Sequence, residues 1–205
     1  VSIRDAEGQT VGVADDAVFV SAAQGGALRL GRCAGACASA EGRAYPGGPL
    51  YVTLGTERGL AAVLSIDAET LLQGIVPAEI FASSPAAALE AQAIVARGAV
   101  LAMLGHRHHD APYHVCDRQH CQVYRGREGR HPSTDQAVAR TRGTLAVRPR
   151  ADPSAPLELV ASVYSASCGG HGASNETVWD QPPSPSLRGR LDGPPGDPVL
   201  APYRG

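Results

Sequence analysis

The sequence predicts an α+β fold, a mixed helix and antiparallel-sheet core with a small β-rich N-terminal portion. Three observations carry this. Residues 1–66 read as short β-compatible runs separated by turn residues. Apolar spacing then shifts to the helical period of about 3.6 residues. From residue 105 the helical pattern gives way to His-rich and later Pro/Gly-rich chain. The expectation is one domain with an N-terminal portion at 1–48 and a core at 49–205 that ends in a Pro/Gly-rich tail.

The strand candidates are "AVFVSA", "ALRLG", "LYVTLG" and "LAAVLSI", with the last two forming a hairpin that turns at "TERG". The Gly-rich stretch 42–48 is the internal linker candidate. "DAETLLQGIV" (67–76) predicts a helix with Asp67 as N-cap, ended or reset by Pro77. "SSPAAALEAQAIVARGAVLAML" (83–104) is the strongest helix. Ser84 is its expected N-cap and Pro85 its first residue, and Leu89, Ala93, Ala96, Val100 and Leu104 form its apolar stripe. Residues 133–143 suit a short helix capped by Ser133 or Thr134 and stopped at Gly143. "LAV" and "LELVASVYSAS" read as strands around the Pro-rich turn 149–156. The tail reads as extended surface chain.

Length and charge narrow the function classes. The chain has 205 residues, 19% of them charged, and a net charge of −2, so it carries no electrostatic footprint for nucleic acid or an anionic membrane. All 18 basic residues are arginine, a compositional bias shared with the high Ala, Gly and Pro content. No apolar run reaches the ~20 residues of a membrane span. The opening "VSIRDAEGQTVGV" has no signal-peptide pattern, and composition leaves the compartment open. The five cysteines, Cys33, Cys37, Cys116, Cys121 and Cys168, cannot all pair within one chain. They divide into Cys33 with Cys37 and a group of three.

Four segments could carry chemistry. In "GIVPAEIFASSP" (74–85) Glu79 is a lone acid among apolar neighbours. It is either a helix-terminal carboxylate helped by the macrodipole or a general acid in an apolar cleft. In "VCDRQHCQVY" (115–124), Gln122 and Tyr124 would share one face of a strand and suit sugar hydroxyl and acetamido groups, or an ordinary polar surface. In "YSASCGGHGASNETVW" (164–179), Cys168 and His171 form a C-x2-H half-site. Together with Cys116 and Cys121 they make a Cys3His structural zinc set, with His120 as an alternative ligand. A Cys116–Cys121 disulfide competes. The tract "HRHHDAPYH" (106–114) reads as a solvated loop.

Taken in series, "GIVPAEIFASSPAAALEAQAIVARGAV", "VCDRQHCQVYRG", "ARTRGTLAV", "VYSASCGGHGASNETVW" and "LRGRLDG" resemble the SpoIID/LytB family, named after stage II sporulation protein D. The blocks keep the family's order over roughly residues 60–192. The resemblance implies a peptidoglycan lytic transglycosylase that cleaves glycan strands lacking stem peptides and needs no cofactor for its chemistry. The alternative is a non-catalytic amidase enhancer that binds the same polymer and assists a cell-wall amidase. The family's acid maps onto Glu79. Its helix block maps onto Gln92 and Arg97. Its "HCQVY" block maps onto His120, Cys121, Gln122 and Tyr124. Its "SGGH"-type block maps onto Tyr164, Ser165, Ser167, Gly169, Gly170 and His171. Gln92, Arg97, Gln122, Tyr124, Tyr164, Ser167 and His171 are thereby expected to bind substrate. Gly98 and Gly172 depart from the family's usual hydroxyl residues. The resemblance also implies an extracytoplasmic location, where a Cys33–Cys37 disulfide is compatible with the redox conditions. The expected groove lies between the Glu79 connection, the "CQVY" strand and the "SCGGH" turn.

Overall fold

A computed structural model of the chain describes residues 2–4, 9–21, 27–30, 42–55, 59–148, 150, 152–160 and 162–194. Cys33 and Cys37 lie outside the described residues. The chain divides into two compact units, Val1–Ala146 and Val147–Gly205.

The first unit begins with β1 (Ser2–Arg4) and β2 (Thr10–Val13), an antiparallel pair. β3 (Ala17–Ser21), β4 (Ala27–Leu30), β5 (Arg43–Pro46), β6 (Pro49–Leu54) and β7 (Leu60–Leu64) follow. β3, β6 and β7 form a three-stranded antiparallel sheet in that order, and β4 pairs with β5. β6 is the central strand because it pairs with both β3 and β7, and Leu50, Val52 and Leu54 share one of its faces. Val20 stands opposite Leu50, and Leu50 opposite Leu64, with Leu50 buried. On the other face Phe19 pairs with Tyr51, ring centroids 4.9 Å apart. Two expectations change here. The stretch 42–48 is not a linker, because residues 43–46 are strand β5. The boundary at 48/49 is crossed by the pairing of β3 with β6, and the chain divides after Ala146 instead.

Three helices complete the unit: α1 (Ala68–Glu79), α2 (Ala86–Met103) and α3 (Pro132–Arg140). Asp67 caps α1 as expected, accepting from the backbone N–H of Glu69 and Thr70 at 3.1 Å each. Pro77 does not end α1. The helix carries two residues past it, because a proline in the last turn removes a single backbone donor. α2 starts one residue later than expected; Pro85 is its cap, and no side chain bonds there. α3 is capped by His131, whose Nδ1 accepts from the Ser133 N–H at 3.3 Å, with Pro132 at the first helical position. α2, 18 residues long, has the length and apolarity of a short membrane span. Here it is a core helix. Leu72, Ile75 and Val76 of α1, Ala93, Ala96 and Val100 of α2, and Val138 of α3 make one cluster with Tyr124.

The 104–131 segment is irregular, and backbone bonds tie its end to the rest. Arg125 N–H donates to Gly74 O at 3.3 Å and Arg127 N–H to Ala44 O at 2.7 Å. Gly126 has φ +67°, and a Cβ there would lie 2.3 Å from Ala44 O, so this crossing demands glycine. Gly74 is equally constrained, by packing. A Cβ on it would sit 2.2 Å from Tyr124 Cε2. Gly74→Ala should therefore lower stability by about 1–3 kcal/mol through overpacking, outweighing the ~1 kcal/mol of helix propensity gained. Thermal unfolding checks this, and a raised melting temperature would contradict it.

The second unit is sparse in regular structure. β8 (His171–Gly172) pairs with β9 (Arg190–Leu191), and α4 (Asn175–Val178) lies between them in sequence. Among the described residues, the strands expected at "LAV" and "LELVASVYSAS" reduce to one bridge, Val147 with Leu159. Asn175 is the buried centre. Its Nδ2 donates to Pro182 O, and its Oδ1 accepts from Ser184 N–H and Arg188 Nη2.

Candidate active site

Glu79 is the last residue of α1 and is exposed. Helical spacing puts it in line with Leu72, Ile75 and Val76, but the apolar cover ends before it, and Ile80 takes the last inward place. The expected dry cleft is thus not formed by the first unit. The position is at the negative end of the helix dipole, so the macrodipole gives the carboxylate no help. The corner itself is braced. Ile80 N–H donates to Val76 O at 3.1 Å, Ser84 N–H to Phe81 O at 2.9 Å, and Ser133 Oγ to Ala82 O at 2.7 Å.

Five other described acids of this unit are occupied. Glu69 pairs with Arg97 at 2.8 Å, Glu90 with Arg140 at 3.4 Å, Asp117 with Arg43 at 3.2 Å and Asp135 with Arg130 at 2.7 Å, while Asp67 caps α1. Glu79 makes no hydrogen bond or ion pair among the described residues. The side chains of Asp15, Asp16 and Asp110 share that state, on irregular chain outside the braced residues 79–84.

Two residues expected to bind substrate have structural work instead. Arg97 is 3% exposed. Its Nε and Nη2 donate to the Glu69 carboxylate at 3.1 and 2.8 Å and its Nη1 to Thr144 O at 3.0 Å. A guanidinium so enclosed ties α1, α2 and the end of α3 together and cannot reach a ligand. Burial alone would raise the Glu69 carboxyl, but Arg97 and the Gly143 N–H override it and hold the group below its ordinary range. Tyr124 is 5% exposed under α1, and burial pushes its phenol up to about 12. Its segment is irregular chain rather than the expected strand, so Gln122, half-buried, does not share a strand face with it. Gln92 is half-buried on α2, and its Nε2 is buried with no hydrogen-bond partner among the described residues.

His108, Cys116, His120 and Cys121 bring one potential ligand atom each within 4.8 Å of one another. His108 Nε2 lies 3.1 Å from Cys121 Sγ, and His120 Nδ1 lies 3.5 Å from Cys121 Sγ and 3.9 Å from Cys116 Sγ. Tetrahedral zinc with ordinary bond lengths spaces its N and S ligands about 3.3–3.8 Å apart, so the donor set fits that ion in type and spacing. Cys116 and Cys121 carry free thiols rather than a disulfide. His108 holds a left-handed backbone, φ 54°, which is uncommon outside glycine. Burial, with His120 and Arg107 nearby, lowers the His108 pKa, and burial with Cys116 raises that of the Cys121 thiol. His120, the alternative ligand, is in this cluster. His108 was assigned to a solvated loop by the sequence reading.

The other proposed ligands, Cys168 and His171, belong to the second unit. There the Cys168 thiol donates to Asp192 Oδ2 at 3.3 Å, and His171 is exposed on β8. Ser167 accepts from Gly169 N–H at 3.3 Å and, with Ser165, Arg190 and Asp192, lines an open hollow of about 450 Å³. Tyr164 is half-buried.

Residues 56–147 match the family model of SpoIID, the stage II sporulation protein. The SpoIID match spans less than half of the chain. The SpoIID match includes Glu79, Gln92 and the four-residue cluster and ends before Tyr164, Ser167 and His171. An uncharacterized protein of Brachyspira hyodysenteriae is 32% identical over 120 residues, covering 58% of this chain and 31% of that relative. The chain therefore spans about a third of the curated relative it matches. No solved structure matches the chain. The SpoIID match supports a peptidoglycan-related role.

Proposed function

We propose that the chain is a peptidoglycan lytic transglycosylase that cleaves the MurNAc–GlcNAc bond of glycan strands, denuded of stem peptides, with Glu79 as its single acid and base. The observation that carries this reading is the unpaired carboxylate of Glu79 on a braced corner between α1 and α2, helices whose other acids, Glu69 and Glu90, are held by arginines. Protonated Glu79 gives its proton to the glycosidic oxygen. As carboxylate it then takes the proton from the C6 hydroxyl of the muramyl residue. That oxygen bonds to C1 as the bond to the leaving sugar breaks, producing a 1,6-anhydro end with no water added. Hydrolases need a second carboxylate; Asp117 and Glu176 are each engaged, by Arg43 and Arg188. Enclosure of Glu79 falls to the glycan itself, which displaces water from the carboxyl as it lies across the corner. Gln92 and Gln122 of the first unit and, separately, Tyr164, Ser167 and His171 of the second are the proposed substrate contacts. Arg97 and Tyr124 support the scaffold.

The exposure of Glu79 favours a second reading, a non-catalytic binding module that assists a cell-wall amidase. Incubation with denuded glycan strands separates the two. Anhydro-muramyl products by mass spectrometry support the lyase; co-sedimentation with the strands and no product supports the binder. Either role implies an extracytoplasmic location.

His108, Cys116, His120 and Cys121 are the proposed holders of a structural zinc, which when bound would clip the irregular 104–131 segment. The purified protein should carry about one zinc per chain. A chelator should lower its melting temperature by several degrees, with no effect on the chemistry beyond the loss of folded protein. Metal analysis and calorimetry check this. Because both thiols must lose protons to bind, zinc affinity should fall on acidification.

A further inference from the structure

Phe81 lies two residues beyond Glu79 and is 84% exposed, the highest value for a large hydrophobic side chain among the described residues. Ile80 between them turns in against the core, so both neighbours project to solvent. The backbone that carries Phe81 is fixed. Its carbonyl accepts from Ser84 N–H, and Ala82 O accepts from Ser133 Oγ on α3. An aromatic ring held outward on a rigid corner, beside an unpaired acid, is a prepared surface with nothing of this unit covering it. Its surroundings decide the partner's chemistry. From residue 80 to residue 89 the chain has no charged side chain, and the first arginine after Glu79, Arg97, is buried. A nucleobase would bring a phosphate that this segment cannot neutralise. An N-acetylglucosamine ring is neutral, unlike its muramyl neighbour with its lactyl carboxylate, and its axial C–H groups meet the negative face of an aromatic ring favourably.

We propose that Phe81 is the stacking platform for one pyranose ring of the glycan and positions the scissile bridge beside Glu79. This rests on the glycan-cleaving or glycan-binding reading and adds a specific positioning residue to it. The ring contributes shape and dispersion on one sugar face, while Gln92 and the hydroxyl groups contribute hydrogen bonds. The contact exists only when the sugar is present, so the free protein gains little stability from it.

The test measures co-sedimentation with denuded glycan strands in a Glu79→Gln background, where the polymer stays intact. Phe81→Ala should weaken binding about ten-fold, as expected for loss of one aromatic stacking contact, and leave the melting temperature within a degree or two. Phe81→Trp should bind as well as the parent or better. Phe81→Leu, apolar but without a ring face, should bind as weakly as Phe81→Ala. Parent-like binding by Phe81→Ala or by Phe81→Leu would overturn the platform while leaving the glycan reading in place. A Glu79→Gln parent that does not sediment with the strands at all would remove the glycan reading and this inference with it.

Discussion

Glu79→Gln should cut formation of anhydro-muramyl product by about a thousand-fold or more, with an unchanged melting temperature. General acid–base catalysis contributes about 10²–10⁴ to rate, and here the same group serves both proton transfers. Glutamine keeps the size and polarity of the side chain but cannot give up or take back the proton. The fold should be indifferent, because Glu79 is exposed and makes no hydrogen bond or ion pair among the described residues. Glycan co-sedimentation should persist in the variant. A rate within ten-fold of the parent would remove Glu79 from the chemistry, even if the chain still cleaves glycan.

Glu69→Ala should destabilise the first unit by about 3–5 kcal/mol, the range for breaking a buried ion pair and leaving one charge without its partner. Arg97 is 3% exposed and Glu69 17%, so the arginine is the group left stranded. Urea unfolding measures the loss. The double variant Glu69→Leu with Arg97→Met removes both charges, and should be more stable than Glu69→Ala alone. The pair also predicts acid lability. Arg97 and the Gly143 N–H hold the folded Glu69 carboxyl below its ordinary range. Its contribution is therefore present above the ordinary glutamate pKa and disappears as pH falls through the lower folded value. Glu69→Gln should flatten the acid limb of the stability profile. A stability curve unchanged by Glu69→Ala would refute the assignment of Arg97 to the scaffold.

Local signals made much of the fold legible. Alternating apolar residues identified β3, β6 and β7, and the last two pair as the expected hairpin, with residues 56–58 of its "TERG" turn outside the described residues. The Asp67 cap and the Leu89–Val100 stripe gave α1 and α2 within a few residues. Non-local pairing was hidden. β5 lies in a Gly-rich stretch whose strand character comes from pairing with β4, which no local pattern records. The task of Arg97 was hidden for the same reason. Its partner, Glu69, is 28 residues away, and two charges on two helices do not announce that they meet. The cluster at His108 had a visible signal. Four candidate ligands fall within 14 positions, but reading the His-rich tract and the cysteine segment separately split them. Glu79 was legible as an unusual acid, whereas its exposure depends on where the apolar cover of α1 stops.

Cleavage of denuded strands in heavy-oxygen water tests whether the sugar's own C6 hydroxyl captures the anomeric carbon. Products should end in 1,6-anhydro-muramyl groups that carry no heavy oxygen. Reducing ends labelled with one heavy oxygen would mean that water was the nucleophile, and would contradict the single-acid lyase.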